Sequence, residues 1–268
     1  MKPVFEHASH QIVVQQVGLA VAALQRGGTG APILFLHGFG STKEDYADIA
    51  RWSAFDGQPF LAYDAPGCGE TVCVAPSKIS IPFLVETAMA MLDRVGFDRF
   101  HLVGHSMGGL TALLLAHACP QRVLSFVNIE GNVAPEDCFL SRQIHDYPSE
   151  DAQRFLDDFI ERARRAPALA SALYAAGLRH KVHVEAVRPI FTSMVDLSDN
   201  GRLMDRFVGL PCPKLFMYGD ENAHLSYLAA LASKGIALAR IAQSNHWPMY
   251  SAPAEMWRRI AEFQRGST

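Results

Sequence analysis

Gly104-His105-Ser106-Met107-Gly108 fits G-x-S-x-G, and the residues on either side of it decide what it can be. Residues 100–103 (FHLV) read as a short buried strand, and residues 109–119 (GLTALLLAHAC) as an apolar helix. A serine between strand and helix stands at a sharp turn that lifts its hydroxyl above the sheet edge. Glycine at 104 and 108 leaves room, because no Cβ blocks so tight a backbone. A serine hydroxyl is a weak nucleophile at neutral pH, so this reading requires a base and a charge stabiliser from elsewhere in the chain.

Around that turn, strand and helix signals alternate. Residues 12–16 and 19–26, separated by Val17-Gly18, read as a β-hairpin. Residues 32–36 (PILFL) form a continuous apolar run of the kind buried in parallel sheets. Strands at 60–63, 100–103 and 123–129 then alternate with helices at 82–95 and 109–119. The pattern resumes with strands at 214–218 and 236–241 and helices at 224–234 and 253–263. This alternation predicts an α/β fold with a mostly parallel, doubly wound sheet.

Residues 133–207 break the rhythm and read as consecutive helices. Phe155, Leu156, Phe159 and Ile160, then Leu169, Leu173 and Leu178, fall at helical spacing, and Ser149 suits the N-cap of the first. Helices inserted between two parallel strands would lie over the strands' carboxyl ends, where such sheets bind ligands. The expected division is a core of residues 1–132 and 208–268 with a helical cap, or lid, of residues 133–207.

Composition excludes several partners. Across 268 residues, 24 basic against 27 acidic side chains leave no footprint for nucleic acid or an anionic membrane. No stretch is long and apolar enough to span a bilayer, and MKPVFEHASHQ lacks the apolar centre of a signal peptide, so a cytoplasmic location is expected. The five cysteines lack zinc-type spacing and are expected as reduced, buried thiols. No H-E-x-x-H or Walker motif occurs, and the glycines at 27–30 join two strands instead of opening a helix. Neither a metal nor a cofactor is expected, and the chain should act as a monomer or homodimer.

Four ordered pieces make the chain resemble the α/β-hydrolase family over nearly its whole length. They are His37-Gly38-Phe39-Gly40, Asp64-Ala65-Pro66-Gly67-Cys68-Gly69, the Ser106 elbow, and Ser244-Asn245-His246-Trp247-Pro248, each following a strand. The resemblance implies Ser106 as nucleophile and His246 as general base. It also implies an oxyanion hole from the backbone N–H groups of Phe39 and Met107, the latter at a helix start that favours an anion. Asp64 and the glycines at 67 and 69 read as turn structure. His37 and His105 support turns, His101 and His117 are structural, and His145, His180 and His183 fall in the inserted segment. His224 opens a helix near the pocket rim.

The acid departs from the commonest pattern. Its usual place, three residues past Gly219, holds Asn222. Relatives such as haloalkane dehalogenases and Renilla luciferase instead carry a glutamate at the end of the strand following the nucleophile helix, and Glu130 stands there. A charged residue closing an apolar strand is expensive unless paired. Glu130 is preferred, with Asp220 the second choice. Dehalogenases use an aspartate nucleophile, so serine at 106 implies acyl transfer. The expected function is a serine hydrolase cleaving a small or medium carboxylic ester, thioester or lactone, with Phe39, His105, Phe155, Phe159 and Trp247 in the substrate pocket. Further cap aromatics, Phe139 and Phe191, could make that pocket apolar. Alternatives on the same scaffold are a carbon–carbon bond hydrolase, a perhydrolase, or a small-molecule receptor with a slow triad.

Overall fold

Two antiparallel strands, β1 (Glu6–Val14) and β2 (Val17–Arg26), open the chain in a computed structural model that describes residues 5–144 and 147–266. His145 lies outside the described residues. The hairpin turns at Gln15-Gln16, not at Val17-Gly18. Both glutamines take positive φ (47° and 65°), as a two-residue turn matching strand twist requires, and Gly18 pairs with Val13 inside the ladder.

The remaining strands are β3 (Ile33–Leu36), β4 (Phe60–Tyr63), the short β5 (Val72–Cys73), β6 (Phe100–His105), β7 (Val123–Ile129), β8 (Lys214–Gly219) and β9 (Ala237–Ile241). Their order is β1-β2-β4-β3-β6-β7-β8-β9, with β5 on β2. From β4 to β9 every pairing is parallel. The central strands are buried on both faces, which explains their unbroken apolar runs. Right-handed crossovers place α1 (Ile81–Val95) and α2 (Met107–Ala118) on one face. The other face is covered by the 3₁₀ segment Lys43–Arg51 and by a C-terminal helix. There Tyr46 stacks on Phe35 at 4.6 Å and Trp257 meets it edge-on at 5.7 Å.

Adjacent strands β3 and β6 send their chains in opposite directions, β3 toward β4 and β6 toward β7. Loops leaving such a pair diverge and open a crevice at the carboxyl edge. The His37 and Ser106 loops are those two.

Among the described residues four α-helices lie between β7 and β8: α3 (Ala152–Arg165), α4 (Leu169–Lys181), α5 (Val184–Asn200) and α6 (Leu203–Gly209). Asp151, not Ser149, caps α3, accepting from the N–H groups of Gln153 and Arg154. In α4 the inward face is Ala170, Ser171, Tyr174, Ala175 and Leu178, while Leu169 and Leu173 face solvent; small residues and one tyrosine set the packing face. α6 returns to the sheet, where Phe207 packs against Phe126 and Phe216, so the part covering the edge ends before residue 207.

After β8 come α7 (Leu228–Ser233), α8 (Pro248–Ser251) and α9 (Pro253–Gly266), the C-terminal helix that carries Trp257. His224 precedes α7 by a turn instead of opening it, its Nδ1 on the Glu221 carbonyl. Four of the five cysteines are buried and Cys73 is partly so; burial pushes the Cys68 thiol up to about 12. No described helix is long and apolar enough to cross a membrane.

Candidate active site

Ser106 sits between β6 and α2 at φ 52°, ψ −120°, a region that non-glycine residues rarely occupy. Such strain costs on the order of 1–3 kcal/mol and persists only where the surroundings enforce it. The enforcing contacts are close. A Cβ on Gly104 would meet the Gly108 carbonyl, and one on Gly108 would meet those of Leu36 and His37. The Ser106 N–H donates to the Ile129 carbonyl at 2.9 Å, binding the turn to the end of β7.

Three side chains from three loops converge there. His246, after β9, faces Ser106 with Nε2 3.1 Å from Oγ. Its Nδ1 lies 2.6 Å from Oε2 of Glu130, the residue just past β7. Glu130 itself takes a left-handed φ of 49°, which turns its side chain along the sheet edge. Its carboxylate collects two further donors: the Gly219 N–H at Oε1 (2.7 Å) and the Asn222 amide at Oε2 (2.5 Å). Three donors fill most of the roughly four acceptor sites of this buried carboxylate.

Asp220 lies apart. One oxygen binds Arg240 and the other accepts the Gln243 N–H, contacts that hold its carboxyl below the usual range. Asn222, at the position where a carboxylate is common, instead donates to the carboxylate that is present. This support escaped the sequence reading, where Asn222 registered only as a missing charge.

The two motif histidines brace the loops. The Ala65 N–H donates to His37 Nε2, so Nδ1 carries the proton and donates to the Gly38 carbonyl (2.7 Å). His105 is buried, with Nε2–H on the His246 carbonyl at 2.8 Å. Burial, aided by the nearby His246, holds its pKa well below the ordinary imidazole value. Its Nδ1 has no partner among the described residues and lies where a Cβ on Gly38 would intrude. Gly38 therefore allows the Phe39 loop to approach the elbow. Asp64 is buried and locks its turn by accepting the N–H of Lys43, the Lys43 ammonium and the N–H of Glu70.

Met107 opens α2, so its N–H has no intrahelical acceptor; the first helical bond there is Leu110 N–H to the Ser106 carbonyl. Tyr174 of α4 donates to the Phe39 carbonyl at 2.9 Å and stacks on Trp247 at 4.5 Å. Phe191 of α5 packs on Phe39, and Phe139 meets His246 edge-on.

A cavity of about 20 Å³ sits on Ser106, bounded by Phe39, His105, Phe191, Met194, His246 and Trp247 among others. Phe139, Leu140, Tyr174, His246 and Trp247 are shared with a hollow of about 540 Å³, whose walls also include Phe159, Ala163, Asn222 and Leu225. Of the residues expected in the pocket, Phe39, His105 and Trp247 line the inner cavity and Phe159 the outer hollow. Phe155 lines neither; it is fully buried between Tyr147, Phe159 and Phe191. Leu140, in a turn, and Tyr174 and Met194, on α4 and α5, also line the cavity; which face of those helices turns inward depends on contacts distant in sequence, which local spacing does not encode.

Comparison with known proteins places these observations. A family model described as "Alpha/beta hydrolase family" matches residues 33–259. A pimeloyl-[acyl-carrier protein] methyl ester esterase of Aeromonas salmonicida is 28% identical over 263 residues, covering 90% of this chain and 98% of that protein. A dihydrolipoyllysine-residue acetyltransferase component of the acetoin cleaving system from Cupriavidus necator is 32% identical over 157 residues, 54% of this chain. The chain spans only 38% of that relative's length. Among solved structures, a thermophilic esterase from Thermogutta terrifontis superposes with a TM-score of 0.76 at 19% identity, covering 97% of this chain and 99% of that one.

Proposed function

Because the chain belongs to the alpha/beta hydrolase family, we propose that it is a serine hydrolase of carboxylic esters, acting through an acyl-enzyme on Ser106. The observation that carries the proposal is the relay from Ser106 Oγ through His246 to Glu130, at 3.1 and 2.6 Å. The full-length likeness to a methyl ester esterase supports the same class.

In the first half-reaction His246 Nε2 takes the Ser106 proton as Oγ attacks the ester carbonyl. The charge gathering on the carbonyl oxygen is met by the N–H groups of Phe39 and Met107. The carbon–oxygen bond to the alcohol breaks, and His246 returns its proton to the departing oxygen. Water then attacks the acyl-enzyme with His246 again as base, the bond to Oγ breaks as His246 returns that proton to Ser106 Oγ, and the acid leaves. Glu130 holds the His246 proton on Nδ1 and stabilises the transient imidazolium, and Asn222 with Gly219 holds Glu130. Residues from 133 to about 200 form the cap over this site.

A fluorophosphonate probe tests the proposal. It should label Ser106, as read by peptide mapping, and Ser106→Ala should lose both labelling and steady hydrolysis of short p-nitrophenyl esters. The expected loss is on the order of 10⁴–10⁶ in kcat. Ester hydrolysis within tenfold of wild type in Ser106→Ala would defeat the assignment.

A further inference from the structure

The two hollows differ about 27-fold in size (540/20) and share the wall made by Phe139, Leu140, Tyr174, His246 and Trp247, while only the smaller one borders Ser106, Phe39 and His105. Resting on the reading of Ser106 as nucleophile, we infer that the substrate is an ester of a very short acyl group with a bulky, mainly apolar alcohol.

The assignment of sides follows from the proton. The alcohol oxygen receives its proton from His246 Nε2 and must depart beside that ring. His246 borders both hollows, but the 540 Å³ one touches neither Ser106 nor Phe39 and runs on to Phe159, Ala163 and Leu225, so it is the one that leads away from the acyl carbon. The acyl carbon is bonded to Ser106 Oγ, and its oxygen points to the N–H groups of Phe39 and Met107. The acyl tail must therefore continue into the inner cavity, toward Phe39, Phe191 and Met194. Phe39 and Phe191 pack together at 4.4 Å, and Phe155 and Phe159 stand behind Phe191 at 5.9 and 6.3 Å. About 20 Å³ holds roughly one water-sized group, enough for the methyl of an acetyl and little more. The outer hollow falls within the roughly 300–1,000 Å³ of sites that take whole small molecules. Its wall is amphipathic: aromatic and alanine side chains make the floor, with Glu136, Arg162 and Glu221 at the rim.

The test is a two-by-two set of esters, acetyl or hexanoyl joined to methanol or 2-naphthylmethanol, so that the leaving oxygen stays aliphatic throughout. At fixed alcohol, acetyl should exceed hexanoyl in kcat/KM by about 100-fold or more, because four extra methylenes overpack the inner cavity. At fixed acetyl, naphthylmethyl should exceed methyl by about tenfold or more through apolar burial. Phe191→Ala should raise the hexanoyl-to-acetyl ratio by about tenfold by opening the inner cavity. Met194→Ala should move the ratio the same way, which covers the case of a misfolded first variant. Steady turnover with hexanoyl equal to or above acetyl would overturn the inference while leaving the hydrolase assignment standing. A ratio unmoved in both variants would do the same. No turnover of any of the four, together with no fluorophosphonate labelling of Ser106, would overturn both.

Discussion

Replacing Glu130 by glutamine keeps the side chain's size while removing one charge and one acceptor. In the native site two oxygens receive three donors, from Gly219, Asn222 and His246. A carboxamide has a single oxygen. With that oxygen toward His246 and Asn222, its NH₂ confronts the Gly219 N–H. Turned the other way, NH₂ faces His246, whose proton must then sit on Nε2, where the ring cannot accept from Ser106. In either orientation the imidazolium formed during acyl transfer loses its carboxylate partner. The lost charge-assisted bond and the lost charge pair together cost on the order of 3–5 kcal/mol in the transition state. At about 1.4 kcal/mol per decade this is roughly 10²–10⁴ in kcat. The assay is kcat and KM on a short p-nitrophenyl ester, with a thermal melt to verify folding and Asp220→Asn as comparison. Asp220 is committed to Arg240 and Gln243, so its variant should stay within about threefold, as surface substitutions remote from the chemistry do. A folded Glu130→Gln within tenfold of wild type, or a larger loss in Asp220→Asn, would refute this account of the relay.

The strained elbow predicts that Ser106→Gly gains stability as it loses activity. Relief of roughly 1 kcal/mol should raise Tm by about 2–4 °C in a chain of this size, and a lowered Tm would count against stored strain at this turn. His105, held neutral by burial, binds its proton less readily folded than unfolded. Stability from this residue is therefore present above its unfolded pKa, near 6.5, and is lost as pH falls toward the depressed folded value, at up to about 1.4 kcal/mol per pH unit. His105→Gln should flatten the fall in Tm between pH 7 and 5, and an unchanged slope would mean that another group dominates. His246→Ala should match Ser106→Ala in kcat, since such residues act as a unit; a hundredfold difference between them would break the proposed relay.

The sheet was legible because its strands are buried on both faces and its turns need glycine, so residues such as Leu34, Gly104 and Gly108 carry their structural reasons locally. Ser106, His246 and Glu130 could be singled out because the motifs that carry them, each following a strand, resemble those of the α/β-hydrolase family. The inserted helices were less legible. Leu169 and Leu173 have the spacing of a buried face, yet α4 turns Tyr174 and small residues inward. That choice rests on a hydroxyl meeting the Phe39 carbonyl 135 positions away, which no local pattern encodes. The hairpin turn was missed for a related reason: Gln15 and Gln16 adopt positive φ where a glycine lay nearby. Phe155 differs from Phe191 only in which ring stands in front.

The bond from Tyr174 to the Phe39 carbonyl gives the inserted segment a second duty. A hydroxyl on α4 holds the carbonyl of Phe39, the residue whose own N–H is proposed to meet the developing charge, and its ring rests on Trp247, the neighbour of the proposed base His246. On the proposed mechanism, selectivity and rate then both depend on this one side chain. A chimera that grafts a foreign cap onto this sheet inherits a new pocket and, in the same exchange, surrenders a tether on its own catalytic loop. Such grafts should fold and bind yet turn over slowly until a phenol, or an equivalent donor, is restored at that point.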